Sequence, residues 1–600
     1  MSKEIRMGNF GCDNVVWDLS DLFKSEQDEA ITLVTNDVLE KAASFEQTYK
    51  SRLHSLAATE LKQAYEAYEM LLTPLYKLGQ YASLRNAIDT QNETIKKLVS
   101  KIDDVESTVA NHLVFFDLEL SKFDASYMDT LVKDATLRNY AYSLFRSHQT
   151  AQYNLNEAEE KIINLKDVTG SQGYKKLYSE LTASFSFTME LDGKKQVLTG
   201  PEMRNLRLHH DQAVRKEAME LFFDAYKQNE ITITHIFNSI LKDFNTERKL
   251  RGYKLPIHVR NISNDLSDQT IDLLHNVTTQ SNKLVQRYYR LKKELLGLNE
   301  MTLSDIYAPF PNVNDVFSYS DAKKLVLDGF YEFDSEFGDI AKAMFDRNRI
   351  HAPVVKHKRG GAFCSGSTPD CYPYVMLNFL GKPRDVSTMA HELGHAIHDV
   401  LASKQTLTNY HPILPLAETA SVFSEMLVTD ILKKRLTDKQ SKIVMLSEKL
   451  EDIFATSHRQ NMFSEFEKAS HLKVSDTLLS SQELCDIYNQ HLKSMFGDSV
   501  AITAEYQWEW ATIPHFLDYP FYVYAYNFGN LLVFALYQLY LEEGASFVPQ
   551  LKTLLAAGSS ASPLDITRSI GVDIESEAFW QKSIVYIEEM VNELETLVRS

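Results

Sequence analysis

Cysteine is scarce in this 600-residue chain, limited to Cys12, Cys364, Cys371 and Cys485. With no C-x-x-C pair, four thiols in such a length exclude a disulfide framework. Cys364 and Cys371 are close enough in sequence to bridge, but a reduced pair in a loop is the expected state. Basic charge is also in short supply: 63 Lys plus Arg stand against 82 Asp plus Glu, a net charge of −19 and a pI near 5.5. Nucleic-acid binders carry a basic stripe, so no nucleic-acid partner is expected. The one dense basic cluster, Lys356-His357-Lys358-Arg359, is short and reads as a solvated loop flank. Long apolar runs are missing too. The longest, around Leu531 to Leu541, contains Tyr537 and Gln538, is too short for a membrane span and reads as a buried helix. Met1-Ser2-Lys3-Glu4-Ile5-Arg6 leads into no apolar segment of the kind a signal peptide needs. A cytoplasmic chain with no membrane partner is the expectation.

What is present is ample for a globular core, with 44% hydrophobic and 24% charged residues. From about Glu26 to Ala183 helical patterns follow one another with few glycines and prolines, and Asn92 to Phe115 is among the longest. Near Ser184 the pattern changes. Phe185 to Met189 and Gln196 to Thr199 flank Asp192-Gly193, which predicts a β-hairpin, and Gly200-Pro201 opens a new helix. We place a boundary here, separating an N-terminal helical region, 1–195, from a second region, 196–600. Between Gly360 and Gly381, glycines and prolines bracket Tyr374-Val375-Met376-Leu377-Asn378-Phe379, a short predicted strand. A sheet edge there would offer free backbone groups to an extended peptide. Gly360 and Gly361 serve either a loop that closes over such a peptide or a tight turn.

The strongest chemical signal follows directly. His391-Glu392-Leu393-Gly394-His395 is an H-E-x-x-H motif inside a helical run, Asp385 to Ala402. Val386, Met389, Ala390, Leu393, Ile397, Val400 and Leu401 share one face, with Asp385 as the predicted N-cap. At about 100° per residue the two histidines point to the opposite face, one turn apart, where they can grip one ion. Glu392 is then placed to work on a water. The bland alternative is a surface helix with a polar outer face. A hydrolytic zinc site needs a third protein ligand and an open position. His398 shares the face, but its Cα lies about 10 Å along the axis from that of His391. Glu418 fits better. It begins a second amphipathic run, Pro415 to Leu432, with Leu416, Ala420, Phe423 and Leu427 on one face and Glu418, Ser421 and Glu425 on the other. The connection from Lys404 to Pro415 lets the polar faces meet, with Glu425 or Asp399 as acceptors for the outer ring nitrogen of an imidazole.

Lys358-Arg359-Gly360-Gly361-Ala362-Phe363, Pro373 to Phe379, His391 to His398 and Ala417-Glu418-Thr419-Ala420-Ser421 together resemble the oligoendopeptidase F branch of the thimet-oligopeptidase-like zinc peptidases, as does the opening Trp17-Asp18-Leu19-Ser20-Asp21-Leu22-Phe23. The resemblance covers nearly the whole chain. It implies a mainly α fold with a deep central cleft and a small β-sheet beside the H-E-x-x-H helix. It also implies one Zn²⁺, an endopeptidase acting on short peptides, and Glu418 as third ligand.

From Tyr506 to Phe528 the chain is dense in aromatics, most of them core by their apolar area. Tyr519, Tyr522 and Tyr526, at i, i+3 and i+7, are predicted along one face of a helix starting near Pro520. A zinc peptidase needs a donor to the oxyanion, which tyrosine or histidine supplies. The resemblance implies that role for His515, Tyr519 and Tyr526, with Tyr522 beside them. Two other readings stand against it. A zinc aminopeptidase would need a device for a free amine, which is not visible. An all-helical binding scaffold would need a damaged motif, which this is not.

Overall fold

The computed structural model describes residues 10–310 and 316–600, so the reading of Met1 to Arg6 lies outside the described residues. The fold is almost entirely helical, with two small sheets. Local rules account for much of it. In the Glu93–Leu120 helix, Asn92 accepts the Thr94 and Ile95 N–H groups, and Ile95, Leu98, Ile102, Val105, Val109, Leu113 and Phe116 bury one stripe. From Val105 onward that stripe joins Phe45, Tyr65 and Tyr140 in a cluster where Tyr65 stacks on Tyr140 at 4.4 Å and meets Phe116 edge-on at 5.1 Å.

The hairpin forms as expected: β1 (Ser186–Leu191) pairs antiparallel with β2 (Lys194–Thr199) across a two-residue turn. Asp192 and Gly193 both have positive φ, 52° and 71°, as the type I′ turn requires. The chain forms two compact units, each assembled from three separated segments. The first comprises Met1–Gln152, Asn314–Arg435 and Leu539–Asp573; the second comprises Tyr153–Val313, Leu436–Gln538 and Ile574–Ser600.

The second sheet lies in the first unit. Its order is β3 (Ile350–His351), β5 (Tyr374–Met376), β4 (Phe363–Ser365), with β3 parallel and β4 antiparallel to the central β5. It packs on the Pro383–Ala402 helix, as the sequence led us to expect. Val15 O accepts the Ala352 N–H, so the N-terminal segment flanks β3 and leaves β4 as the outer strand. In the second unit, buried charges are compensated: Lys292 donates to Glu451 at 2.5 Å and to Ile306 O at 2.9 Å, and Arg459 pairs with Glu509. The apolar run from Leu531 belongs to the Tyr524–Glu543 helix and is buried through Gln538. The longer stretch Tyr524–Leu555 has the length and composition of a membrane span, but its Tyr524–Gln538 part is packed inside the protein, in keeping with the buried helix expected around Leu531.

Candidate active site

The H-E-x-x-H helix runs from Pro383 to Ala402, with Pro383 in the first turn, where its missing N–H costs nothing. Lys382, not Asp385, is the N-cap. Asp385 sits one turn in, and its carboxylate reaches back to the N–H groups of Leu380 (2.8 Å) and Lys382 (3.0 Å). The predicted stripe is buried at Val386, Met389, Ala390, Leu393, Ile397 and Leu401. His391 and His395 are half-buried on the other side, their rings 4.9 Å apart.

Glu418 comes from the next helical segment, but the expected continuous run is broken at this residue. A short helix, Leu414–Ala417, ends on it (φ −89°, ψ 5°), and a second helix, Thr419–Arg435, starts after it. That second helix is buried on nearly all sides, so its apolar and polar faces are less segregated than predicted. The two long helices touch backbone to backbone at Gly394. A Cβ there would lie 2.5 Å from Ala420 O and 2.7 Å from Ser421 Cα. The motif's inner glycine is what lets Glu418 approach the histidines, a role the sequence reading missed.

The result is a compact group: ligand atoms of His391, His395 and Glu418 all lie within 4.8 Å of one another. Glu418 Oε2 is 3.4 Å from His391 Nε2 and 3.3 Å from His395 Nε2. Two ligands at zinc–nitrogen and zinc–oxygen bond lengths on a tetrahedron are about 3.3 Å apart, whereas a charge-assisted hydrogen bond closes to about 2.7–2.9 Å. The spacing therefore suits co-ligands of one ion, and the residues fit a divalent metal. His391 Nδ1–H donates to Glu425 Oε1 at 2.6 Å, which turns Nε2 toward the group, and Ser421 Oγ–H donates to Glu418 Oε2 at 2.7 Å. Asp399 lies within electrostatic range of His395, and burial pushes its carboxyl up to about 7.

His398 is not a member of this group. It is buried, its imidazole driven down to about 3 by desolvation and the His395 charge, against a hydrogen bond to the Ala417 backbone. Desolvation lowers the His391 pKa, but the Glu425 hydrogen bond and the charges of Glu425, Glu418 and Glu392 outweigh it and raise the imidazole to about 9. For Glu418 desolvation acts upward, and His395, His391 and Ser421 prevail and hold it at about 2. Glu392, only 6% exposed, is pushed above the ordinary carboxylate range by burial, against the pull of His391 and His395.

The predicted strand before this helix forms at Tyr374–Met376, yet it is the central strand and offers no edge. Val375 and Leu377 send their N–H groups to Arg349 and His351 on the β3 side. Backbone alternation then turns Tyr374 and Met376 toward β4, where they face Ser365 and Phe363, and leaves Cys364 presenting its N–H and C=O outward. The free edge thus belongs to the glycine-flanked segment read as a loop. None of the four cysteines is bridged.

His515, Tyr519, Tyr522 and Tyr526 lie in the second unit and gather into one cluster. Tyr526 Oη is 3.5 Å from His515 Nε2; the Tyr519 and Tyr522 rings are 6.1 Å apart, and those of Tyr522 and Tyr526 5.3 Å. Tyr519 and Tyr526 are 60% and 37% exposed. They do not share one helix face. His515–Asp518 is a short helix, a turn follows, and the next helix begins at Tyr524, because Pro520 starts the turn instead of a helix.

The sequence profile of Peptidase family M3 matches residues 205–586, and that of an Oligopeptidase F N-terminal region matches residues 119–187. Oligopeptidase PepF of Bacillus subtilis is 27% identical over 97% of this chain and 87% of its own length. The chromosomal oligoendopeptidase F of Lactococcus lactis is 28% identical over 97% of each. In three dimensions, the oligoendopeptidase-F crystal structure from Enterococcus faecium superposes with a TM-score of 0.70 at 21% identity, covering 95% of this chain and 99% of that one, and so shares the large helical fold.

Proposed function

From the premise that this chain belongs to Peptidase family M3 and is a metalloendopeptidase acting on oligopeptides, we propose that it is zinc-dependent, with His391, His395 and Glu418 holding one ion and Glu392 as general base. The observation that carries this is the 3.3–3.4 Å co-ligand spacing between Glu418 and the two histidines, which share their helix with the buried Glu392. When bound, zinc supplies Lewis acidity, lowering the pKa of water and polarising a carbonyl. Glu392 accepts the proton of the attacking water and later delivers it to the departing amine; burial raises its pKa, which makes it the stronger proton acceptor. An extended peptide pairs its backbone with the outward N–H and C=O of Cys364 on β4, which fixes its register. Donation to the developing oxyanion is assigned to Tyr526, with His515 or Tyr519 assisting, because these are exposed or half-buried groups with protons to give.

We assign the machinery to residues 196–600 and a cytosolic location that suits four unbridged thiols. Short peptides are the proposed substrates, without nucleic-acid or membrane partners. The test is metal analysis combined with cleavage of an internally quenched peptide, with and without chelator. Glu418→Ala should lose the ion, and a Glu418→Ala protein that retains a full equivalent of zinc sinks the ligand set. N-terminally blocked peptides should still be cut, which an aminopeptidase cannot do. Rapid cleavage of casein would end the restriction to short peptides.

A further inference from the structure

Between Tyr519 and Tyr522 the chain makes a turn that one of its own residues, Phe521, disfavours. Tyr522 N–H donates to Tyr519 O at 3.0 Å. Pro520 fixes φ near −65° at the second position, and Phe521 at the third has φ +60°. That combination is a type II turn, whose third position normally takes Gly or Asn because a side chain is penalised there. A phenylalanine persists in it only where the surroundings over-determine the backbone.

Here they do. Type I and type II turns differ by a flip of the central peptide, in this case Pro520–Phe521, and both of its ends are gripped. Phe521 N–H donates to Glu467 Oε1 at 2.8 Å, and Arg260 Nε–H donates to Pro520 O at 3.4 Å. The Phe521 ring is sealed inside, 4.7 Å from the His471 ring and 6.0 Å from that of Phe244. Glu467 is 1% exposed, and its Oε2 has no hydrogen-bond partner among the described residues. A buried carboxyl with one oxygen idle is costly to keep, which focuses attention on what the other oxygen does.

We propose that Glu467 and Arg260 are positioning residues: they hold the Pro520–Phe521 peptide in its type II orientation and thereby set Tyr519 and Tyr522, and through the packed rings Tyr526 and His515, for donation to the substrate. This rests on the assignment of that cluster as oxyanion donor. Burial raises the Glu467 carboxyl to about 8, so it is largely neutral at pH 7, and glutamine is its near-isostere with the same accepting oxygen.

The test is steady-state kinetics of the 600-residue chain loaded with zinc on a quenched peptide, comparing Glu467→Leu, Glu467→Gln, Arg260→Met, Tyr526→Phe and the Glu467→Leu/Tyr526→Phe pair. Glu467→Leu should lower kcat about tenfold, the scale of the left-handed penalty it releases, with KM and bound metal little changed. Glu467→Gln should restore most of kcat, Arg260→Met should lower it in the same sense, and the double variant should be no slower than Tyr526→Phe alone. Wild-type kcat in Glu467→Leu, equal impairment in Glu467→Gln, or additivity in the double variant overturns the proposal. Should Glu467→Leu not fold, the half-buried Arg260→Met decides: wild-type kcat there overturns it. If Tyr526→Phe itself keeps full kcat, the donor assignment fails and this proposal with it. A slow Tyr526→Phe beside a fast Glu467→Leu breaks the positioning alone.

Discussion

The histidine–glutamate group and the tyrosine turn place their candidate functional side chains by opposite means. The first is mounted on regular helices in ordinary conformations: two imidazoles one turn apart, a carboxylate at a helix break, and a glycine that brings the rods together. The second depends on a residue in a region its side chain resists, at about 1–2 kcal/mol. Burying the Phe521 ring contributes about 1.5–3 kcal/mol, enough to offset that strain and leave the Glu467 hydrogen bond to choose the peptide's orientation. Ligands that must converge on one ion gain from rigid rods, where an error of a few tenths of an ångström is avoided. The proposed donors are set on a turn that tertiary contacts must support.

The sharpest way to break this contrast is Glu392→Gln. It should cut kcat by about 10²–10⁴-fold while leaving bound metal unchanged, as metal analysis alongside peptide turnover would show. A variant that also sheds its metal would make Glu392 part of the scaffold instead. Tyr526→Phe comes next, with an expected loss of about 10²-fold in kcat at unchanged metal content, the scale of one oxyanion donor. Glu425→Ala probes the support of the rigid side: freeing His391 Nδ1 should weaken metal binding by about 10–100-fold in chelator competition. Gly394→Ala tests the rods themselves. A methyl 2.5 Å from Ala420 O must push one helix off the other, costing about 1–3 kcal/mol of stability and loosening the metal. If thermal stability and zinc affinity both match the wild type, close helix contact is not what assembles the group.

Sequence periodicity was a good guide wherever local rules decide the structure. The buried stripe of the H-E-x-x-H helix, the Asp192-Gly193 hairpin and the Asn92-capped helix all follow from spacing and capping, and the fold is mainly helical with its small sheet beside the motif helix. What failed depended on partners distant in the chain. β5 became central because β4, hidden among glycines, pairs on one side and β3 on the other, so the edge moved to Cys364. Tyr519 meets Tyr522 across a turn, and Tyr522 in turn packs on Tyr526, instead of all three lining one helix, because Pro520 opens a type II turn gripped by Arg260 and Glu467 and does not start a helix. Nothing around Phe521 in the sequence announces a positive φ. The two units, each built from three separated segments, are likewise invisible to any reading that moves along the chain.

The supported turn can also be probed through its proton. Burial raises the Glu467 carboxyl to about 8, while a glutamate in an unfolded chain titrates near 4.3. Between those values the folded state holds a proton that the unfolded state has released. Stability from this group is therefore complete below about pH 4.3 and lost progressively as pH rises toward 8, at no more than about 1.4 kcal/mol per pH unit. Glu467→Gln removes the titration and keeps the acceptor for Phe521. The difference in urea midpoint between the two proteins should widen in favour of the variant as pH rises from 5 to 8, and level off above it. A constant difference across that window would mean that Glu467 is ionised in the fold, so that a charge, and not a neutral acceptor, holds the tyrosine turn.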